Sequence, residues 1–68
     1  MDDRAWDFQV AKAAVEIIAA VRKPLPQAFS EYEKAAKDKA SGMPEPEAGW
    51  FVGDVLNVVN EMEMAKEV

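Results

Sequence analysis

The fold depends on residues 50–66, which read WFVGDVLNVVNEMEMAK. The apolar residues recur every three or four positions, a spacing that places side chains on one face of an α-helix. That face comprises Phe51, Val52, Val55, Leu56, Val58, Val59 and Met62. The alternative is a β-hairpin that turns at Gly53-Asp54, but the period is not two and residues 61–66 are good helix formers. The pattern therefore predicts a helix over about residues 48–66.

Residues 2–22 form a second long helical pattern, which is apolar on two sides. The first stripe contains Trp6, Val10, Ala13, Ala14, Ile17 and Val21. The second stripe contains Phe8, Ala11, Val15 and Ala19. A helix with this much apolar circumference needs packing partners on two sides. The pattern ends before Pro24, because a proline disfavours the α conformation of the residue that precedes it.

A shorter helix is predicted between these two, over about residues 26–40. Its apolar face comprises Leu25, Phe29, Tyr32 and Ala36. Gly42 is a plausible left-handed residue after its end, and the two prolines of residues 43–47 predict a stiff, extended loop. The whole chain, residues 1–68, is thus predicted to be one small all-α domain, an α-hairpin or a three-helix arrangement.

The chain is so short that we expect a second copy of it to contribute to its stability. A chain of 68 residues buries only about 60% of the surface that its unfolded form exposes. It contains neither cysteine nor histidine, so disulfides and Cys/His zinc sites cannot stabilise it. We therefore expect the surplus apolar surface to form a helical homodimer. The expected interface residues are Phe8, Ala11, Val15, Ala19, Val55, Val59 and Met62.

The composition also argues against several functions. Without histidine and cysteine the chain has no imidazole base and no thiolate nucleophile. We therefore predict no catalytic, cofactor-binding or metal-binding residue and no enzymatic activity; a carboxylate-based enzyme would need a pocket at Glu16 or Asp54. A net charge of −5 argues against nucleic acid. No apolar stretch is long enough to span a bilayer, and the acidic start at Asp2-Asp3 is unlike a signal peptide, which favours the cytoplasm.

The negative charge is concentrated at one end of the chain. Residues 43–68 hold six acidic residues and one lysine, so this third carries the whole net charge of −5. Acids near the C-terminus of a helix oppose its dipole. They form either a solvated end that maintains solubility or a surface for a basic patch on a partner. Trp50 and Met64 lie off the apolar face, and Trp is enriched in binding hot spots. The expected partner-binding residues are Trp50, Asp54, Glu61, Glu63, Met64 and Glu67.

These features together predict a small, acidic, non-enzymatic module that binds a protein. We expect it to inhibit or modulate a cytoplasmic partner. In size and composition the chain is similar to phage-encoded inhibitors, anti-activators and antitoxins, although this is an analogy of format only. The alternative is a small structural or accessory subunit of a larger assembly.

Overall fold

Three helices make up the fold. A computed structural model describes residues 3–66 and contains α1 (Asp3–Val21), α2 (Leu25–Lys39) and α3 (Glu47–Lys66), with no strand in that range. The all-α prediction is confirmed for this part of the chain, and residues 50–59 are helix rather than hairpin. Across residues 3–66, none of the helices combines the length and the apolar character that a bilayer crossing requires.

α1 and α3 run in the same direction. Trp6 of α1 touches Asp54 of α3, while Ile18 lies beside Met62, so α1 and α3 run parallel. Lys39 at the end of α2 reaches Glu16 in the C-terminal half of α1, so α2 folds back onto α1. Each helix contacts the other two. The result is the three-helix arrangement, not the two-helix hairpin that the sequence had left open.

The core between the helices is narrow and rich in alanine. Its buried residues are Val10, Ala13, Ala14, Ile17, Leu25, Ala28, Tyr32, Ala36, Ala40, Phe51, Val55 and Val59. Among the residues whose burial is described, no polar or charged residue is buried. Because five of the twelve are alanines, each helix pair packs closely but removes little apolar area per residue from water. A small core of this kind supplies limited hydrophobic stabilisation.

The end of α1 has an unusual backbone conformation. Arg22 adopts a left-handed conformation with φ 56°, where a glycine is common at the end of a helix. Its N–H still donates to Ile18 O at 3.0 Å, and its Nε donates to Ala19 O at 3.0 Å. Both bonds satisfy carbonyls that the end of a helix leaves without partners. The predicted stop before Pro24 is confirmed.

The first turn of α2 differs from the prediction. Ala28 is buried and has non-helical angles (φ −131°, ψ 26°), so the helix bends there. Phe29, predicted to be in the core, is 48% exposed. The bend breaks the regular spacing on which that prediction depended, and the small Ala28 takes the core position. Tyr32 is fully buried, and its hydroxyl donates to Lys23 O in the connection from α1.

The segment between α2 and α3 is a series of turns, so the prediction of an extended loop is wrong. Met43 N–H donates to Ala40 O at 2.9 Å, and Ala48 N–H donates to Pro44 O at 3.0 Å. The Glu45–Pro46 peptide bond is cis. Gly42 was expected to be left-handed, but no glycine in residues 3–66 has a positive φ. The chain reverses within a few residues because backbone bonds of this kind close tight turns.

Candidate binding surfaces

The second apolar stripe of α1 lies on the surface. Phe8 is 69% exposed and Val15 is 53% exposed, and Ala11 and Ala19 between and beyond them are exposed as well. The core residues of α1 occupy the opposite side of the helix. We call Phe8, Ala11, Val15 and Ala19 the outer stripe of α1. Large exposed apolar residues that share one helix face are typical of an interaction surface.

A shallow depression extends the outer stripe onto α3. Val15, Ile18, Ala19 and Met62 line it, and its volume is about 400 Å³. All four lining residues are apolar, and Ile18 and Met62 are only partly buried. Met62, which the sequence assigned to a dimer interface, therefore lies next to the outer stripe.

Two residues of the expected dimer interface lie elsewhere. Val55 and Val59 have no exposed surface and pack in the core of the single chain. They face α1 and α2 of their own chain, so a second copy cannot reach them while the bundle is intact. Neither residue belongs to the exposed apolar surface of the chain.

A second exposed face runs along α3. Trp50 is 62% exposed and Met64 is 61% exposed, and Asn57 and Glu61 between them are exposed too. At 100° per residue these four side chains fall within one narrow sector of the helix. We call them the outer face of α3. Trp50 and Met64 are 14 residues apart, which is about 21 Å along a helix, so the face is long and has an apolar residue at each end.

Asp54, expected at a partner surface, instead joins two helices of the chain. Its Oδ2 accepts a hydrogen bond from Trp6 Nε1 at 2.8 Å. The Trp6 ring also packs edge-on against Phe51, with ring centroids 5.7 Å apart and an angle of 85° between the planes. Such edge-to-face pairs are a favoured geometry of aromatic rings. The carboxylate of Asp54 is therefore used inside the chain.

The acidic residues do not form one patch. Glu45 and Glu47 lie near the start of α3, whereas Glu61 and Glu63 lie in its last turns. Glu63 is half-buried and lines a cleft of about 460 Å³ with Arg22, Lys23 and Tyr32 among others. Glu67, the last residue of the expected partner site, lies outside the described residues. Only Glu61 of the expected acidic group is thus placed on the outer face of α3.

The cleft beside Glu63 alters the ionisation of Tyr32. Burial raises the pKa of Tyr32 above its ordinary 10.0, and the negative charges of Glu63 and Glu31 raise it further. The neutral hydroxyl is the form that donates to Lys23 O. Tyr32 is therefore a neutral structural hydrogen-bond donor at neutral pH.

The carboxylate of Glu16, the other candidate for acid–base chemistry, lies in an ion pair. Its Oε2 accepts a hydrogen bond from Lys39 Nζ at 2.7 Å. That hydrogen bond and the charge of Lys39 lower the pKa of Glu16 below its ordinary 4.5. A general base at neutral pH needs a pKa shifted the other way. Within the described residues, no three His, Cys, Asp or Glu side chains are grouped so that they could hold a metal ion.

Comparisons with protein families, with characterised protein sequences and with solved structures found no match for this chain.

Proposed function

We propose that the chain is a non-enzymatic protein-binding module, which dimerises through the outer stripe of α1 and binds a cytoplasmic partner through the outer face of α3. One observation carries the proposal: of the five large apolar residues that are exposed in the described chain, Phe8 and Val15 share one helix face and Trp50 and Met64 share another, while only Phe29 lies elsewhere. Scattered apolar residues on a surface are ordinary, but residues aligned on one face are suited to a contact with another protein.

The outer face of α3 suits a long contact better than a small ligand. Trp50 and Met64 lie about 21 Å apart along the helix, and Asn57 and Glu61 supply polar groups between them. A helix with anchors at such spacing can lie in an apolar groove of another protein. Glu61 favours a groove with a basic rim, because complementary charge speeds encounter.

The module would inhibit or modulate its partner simply by occupying the partner's groove. A partner whose groove holds α3 cannot bind its usual ligand in the same groove, and this requires no chemistry from the module. The flexible thioether of Met64 adapts to an uneven surface, and Trp50 supplies a large apolar area at one end.

A capture experiment with matched variants tests this proposal. Wild type, Trp50→Ala and Phe29→Ala are immobilised in equal amounts and exposed to a cytosolic extract of the source cells. Phe29 is the control because it is a large exposed aromatic residue of α2 and belongs to neither surface. Captured proteins are identified by mass spectrometry, and affinity for the purified partner is measured by calorimetry.

We expect one stoichiometric partner that Phe29→Ala retains and that Trp50→Ala binds at least about 30-fold more weakly, since loss of a hot spot costs about 2 kcal/mol or more. Circular dichroism checks that both variants remain helical. Capture of no stoichiometric protein, or equal losses in the two variants, would contradict the proposal.

A further inference from the structure

The outer stripe of α1 has ends of different chemistry. At its N-terminal end Phe8 directly follows Asp7 in the helix, and both residues are exposed. At its C-terminal end, the bond from Arg22 Nε to Ala19 O holds the guanidinium beside the last residue of the stripe. One end is thus aromatic and acidic, and the other is basic.

From this polarity we infer that a second copy of the chain covers the outer stripe, with the two α1 helices antiparallel and a two-fold axis beside Val15. The inference rests on the proposed dimer and specifies its geometry. Val15 then meets Val15 of the second copy, Ala11 meets Ala19, and Phe8 meets Arg22. Each contact occurs twice, as a two-fold interface requires.

Charge selects the antiparallel orientation. Two parallel α1 helices would bring Arg22 against Arg22 and Asp7 against Asp7, and like charges in contact repel. In the antiparallel pair each guanidinium, which also lines the cleft beside Glu63 of its own chain, comes within reach of a Phe8 ring, whose face attracts a cation, and of the carboxylate of Asp7. The helix dipoles also oppose each other in that orientation.

The small residues allow the helices to approach closely. Ala11 and Ala19 meet on either side of the axis, so the helix axes can lie near the short end of the usual range of about 8–10 Å. With Cα atoms about 2.3 Å from each axis, axes about 8–10 Å apart place the facing Cα atoms about 3.4–5.4 Å apart. The upper part of that range, above about 4.4 Å, is one that a disulfide spans.

The available area indicates a weak dimer. A standard interface covers about 800 Å² per partner, which is roughly one sixth of the 4865 Å² that the chain exposes. The stripe from Phe8 to Ala19 is only about 16 Å long, so it needs the adjoining depression at Met62 to approach that size. We therefore expect a dimer dissociation constant on the order of micromolar.

Disulfide cross-linking tests the orientation directly, because the chain has no cysteine of its own. Single variants Ala11→Cys and Ala19→Cys are mixed at about 100 μM, above the expected dissociation range, with one of them ¹⁵N-labelled. The three disulfide products then differ in mass. Val15→Cys reports contact at the axis, and Ser41→Cys, exposed after α2, reports random collision. Circular dichroism of the reduced variants checks the fold.

The antiparallel dimer predicts that the mixed Ala11→Cys and Ala19→Cys product dominates, well above the statistical half, and that Val15→Cys links with itself faster than Ser41→Cys. A majority of the two unmixed products would overturn the antiparallel inference while leaving the dimer intact. Reaction of every variant at the Ser41→Cys rate would overturn the dimer as well. None of these outcomes tests whether α3 binds a partner, which the capture experiment with Trp50→Ala tests separately.

Discussion

The contact of Trp6 with α3 allows a quantitative test of what holds the bundle together. Trp6→Phe keeps an aromatic ring beside Phe51 and removes the indole N–H that donates to Asp54 at 2.8 Å. A hydrogen bond to a charged group contributes about 1.5–3 kcal/mol. Both residues are only half-buried, so water replaces part of that bond in the variant. We expect the free energy of unfolding to fall by about 1–1.5 kcal/mol.

The assay is urea denaturation followed by far-ultraviolet circular dichroism, at one fixed protein concentration because dimerisation would stabilise the fold. Thermal melts should show a drop of roughly 4–12 °C. A double-mutant cycle with Asp54→Ala separates the pair from the loss of ring size. Asp54→Asn is the control, because it keeps an oxygen acceptor and should lose less stability than Asp54→Ala.

The coupling energy from the cycle decides whether the hydrogen bond of Trp6 stabilises the fold. We expect a coupling energy of about 1 kcal/mol between Trp6 and Asp54, since each single change already breaks the bond. Changes that simply add, to within about 0.3–0.5 kcal/mol, would show that the hydrogen bond does not stabilise the contact of α1 with α3.

Three further predictions concern ionisation and backbone strain. Tyr32 is the only tyrosine, and burial, followed by the charge of Glu63, raises its pKa. Its absorbance at 295 nm should therefore titrate at a higher pH in the folded chain than in urea, and the free energy of unfolding should fall as pH rises past 10.0, more steeply than in Tyr32→Phe. Equal titration in both states would contradict this. Lys39 lowers the pKa of Glu16, so this ion pair stabilises the fold above pH 4.5 and stabilises it less as the pH falls below that value. Between pH 5 and 3 the free energy of unfolding should therefore fall less in Glu16→Gln than in the wild type. An equal fall in the two proteins would show that the ion pair does not contribute to stability. Arg22 has φ 56°, a conformation that favours glycine over residues with a Cβ atom. The free energy of unfolding of Arg22→Gly should therefore exceed that of Arg22→Ala by about 1 kcal/mol. An alanine variant that is the more stable of the two would contradict backbone strain at this position.

The two long helices could be predicted because their apolar periods are regular and extend over many residues. Val10 and Ile17 in α1 are buried as the pattern indicated, and so are Phe51 and Val55 in α3. In α2 the same reasoning failed at Phe29, because the helix bends at Ala28 and buries that alanine in its place. A prediction from helical spacing assumes a regular helix and therefore misses such a bend.

The expected interface residues show a different limit. Val15 and Val59 have the same chemistry and both lie on apolar helix stripes, yet one is half exposed and the other fully buried. Periodicity shows that a stripe needs a cover, but not which element supplies it. The pairing of Asp54 with Trp6 could not be predicted for the same reason, since the two residues lie 48 positions apart in the sequence. Only the assembled bundle pairs them.

Sedimentation equilibrium of wild type and Val15→Glu, from about 1 to 200 μM, tests most directly whether the outer stripe of α1 is an interface. Val15 is 53% exposed, so a glutamate at this position leaves the single bundle intact but puts two like charges at the proposed two-fold axis. We predict that the wild type shifts from its chain mass of 7.5 kDa to twice that mass as concentration rises, and that Val15→Glu stays at the chain mass with an unchanged helical spectrum. A wild type that remains a monomer throughout, or a Val15→Glu variant that dimerises equally well, would contradict the account.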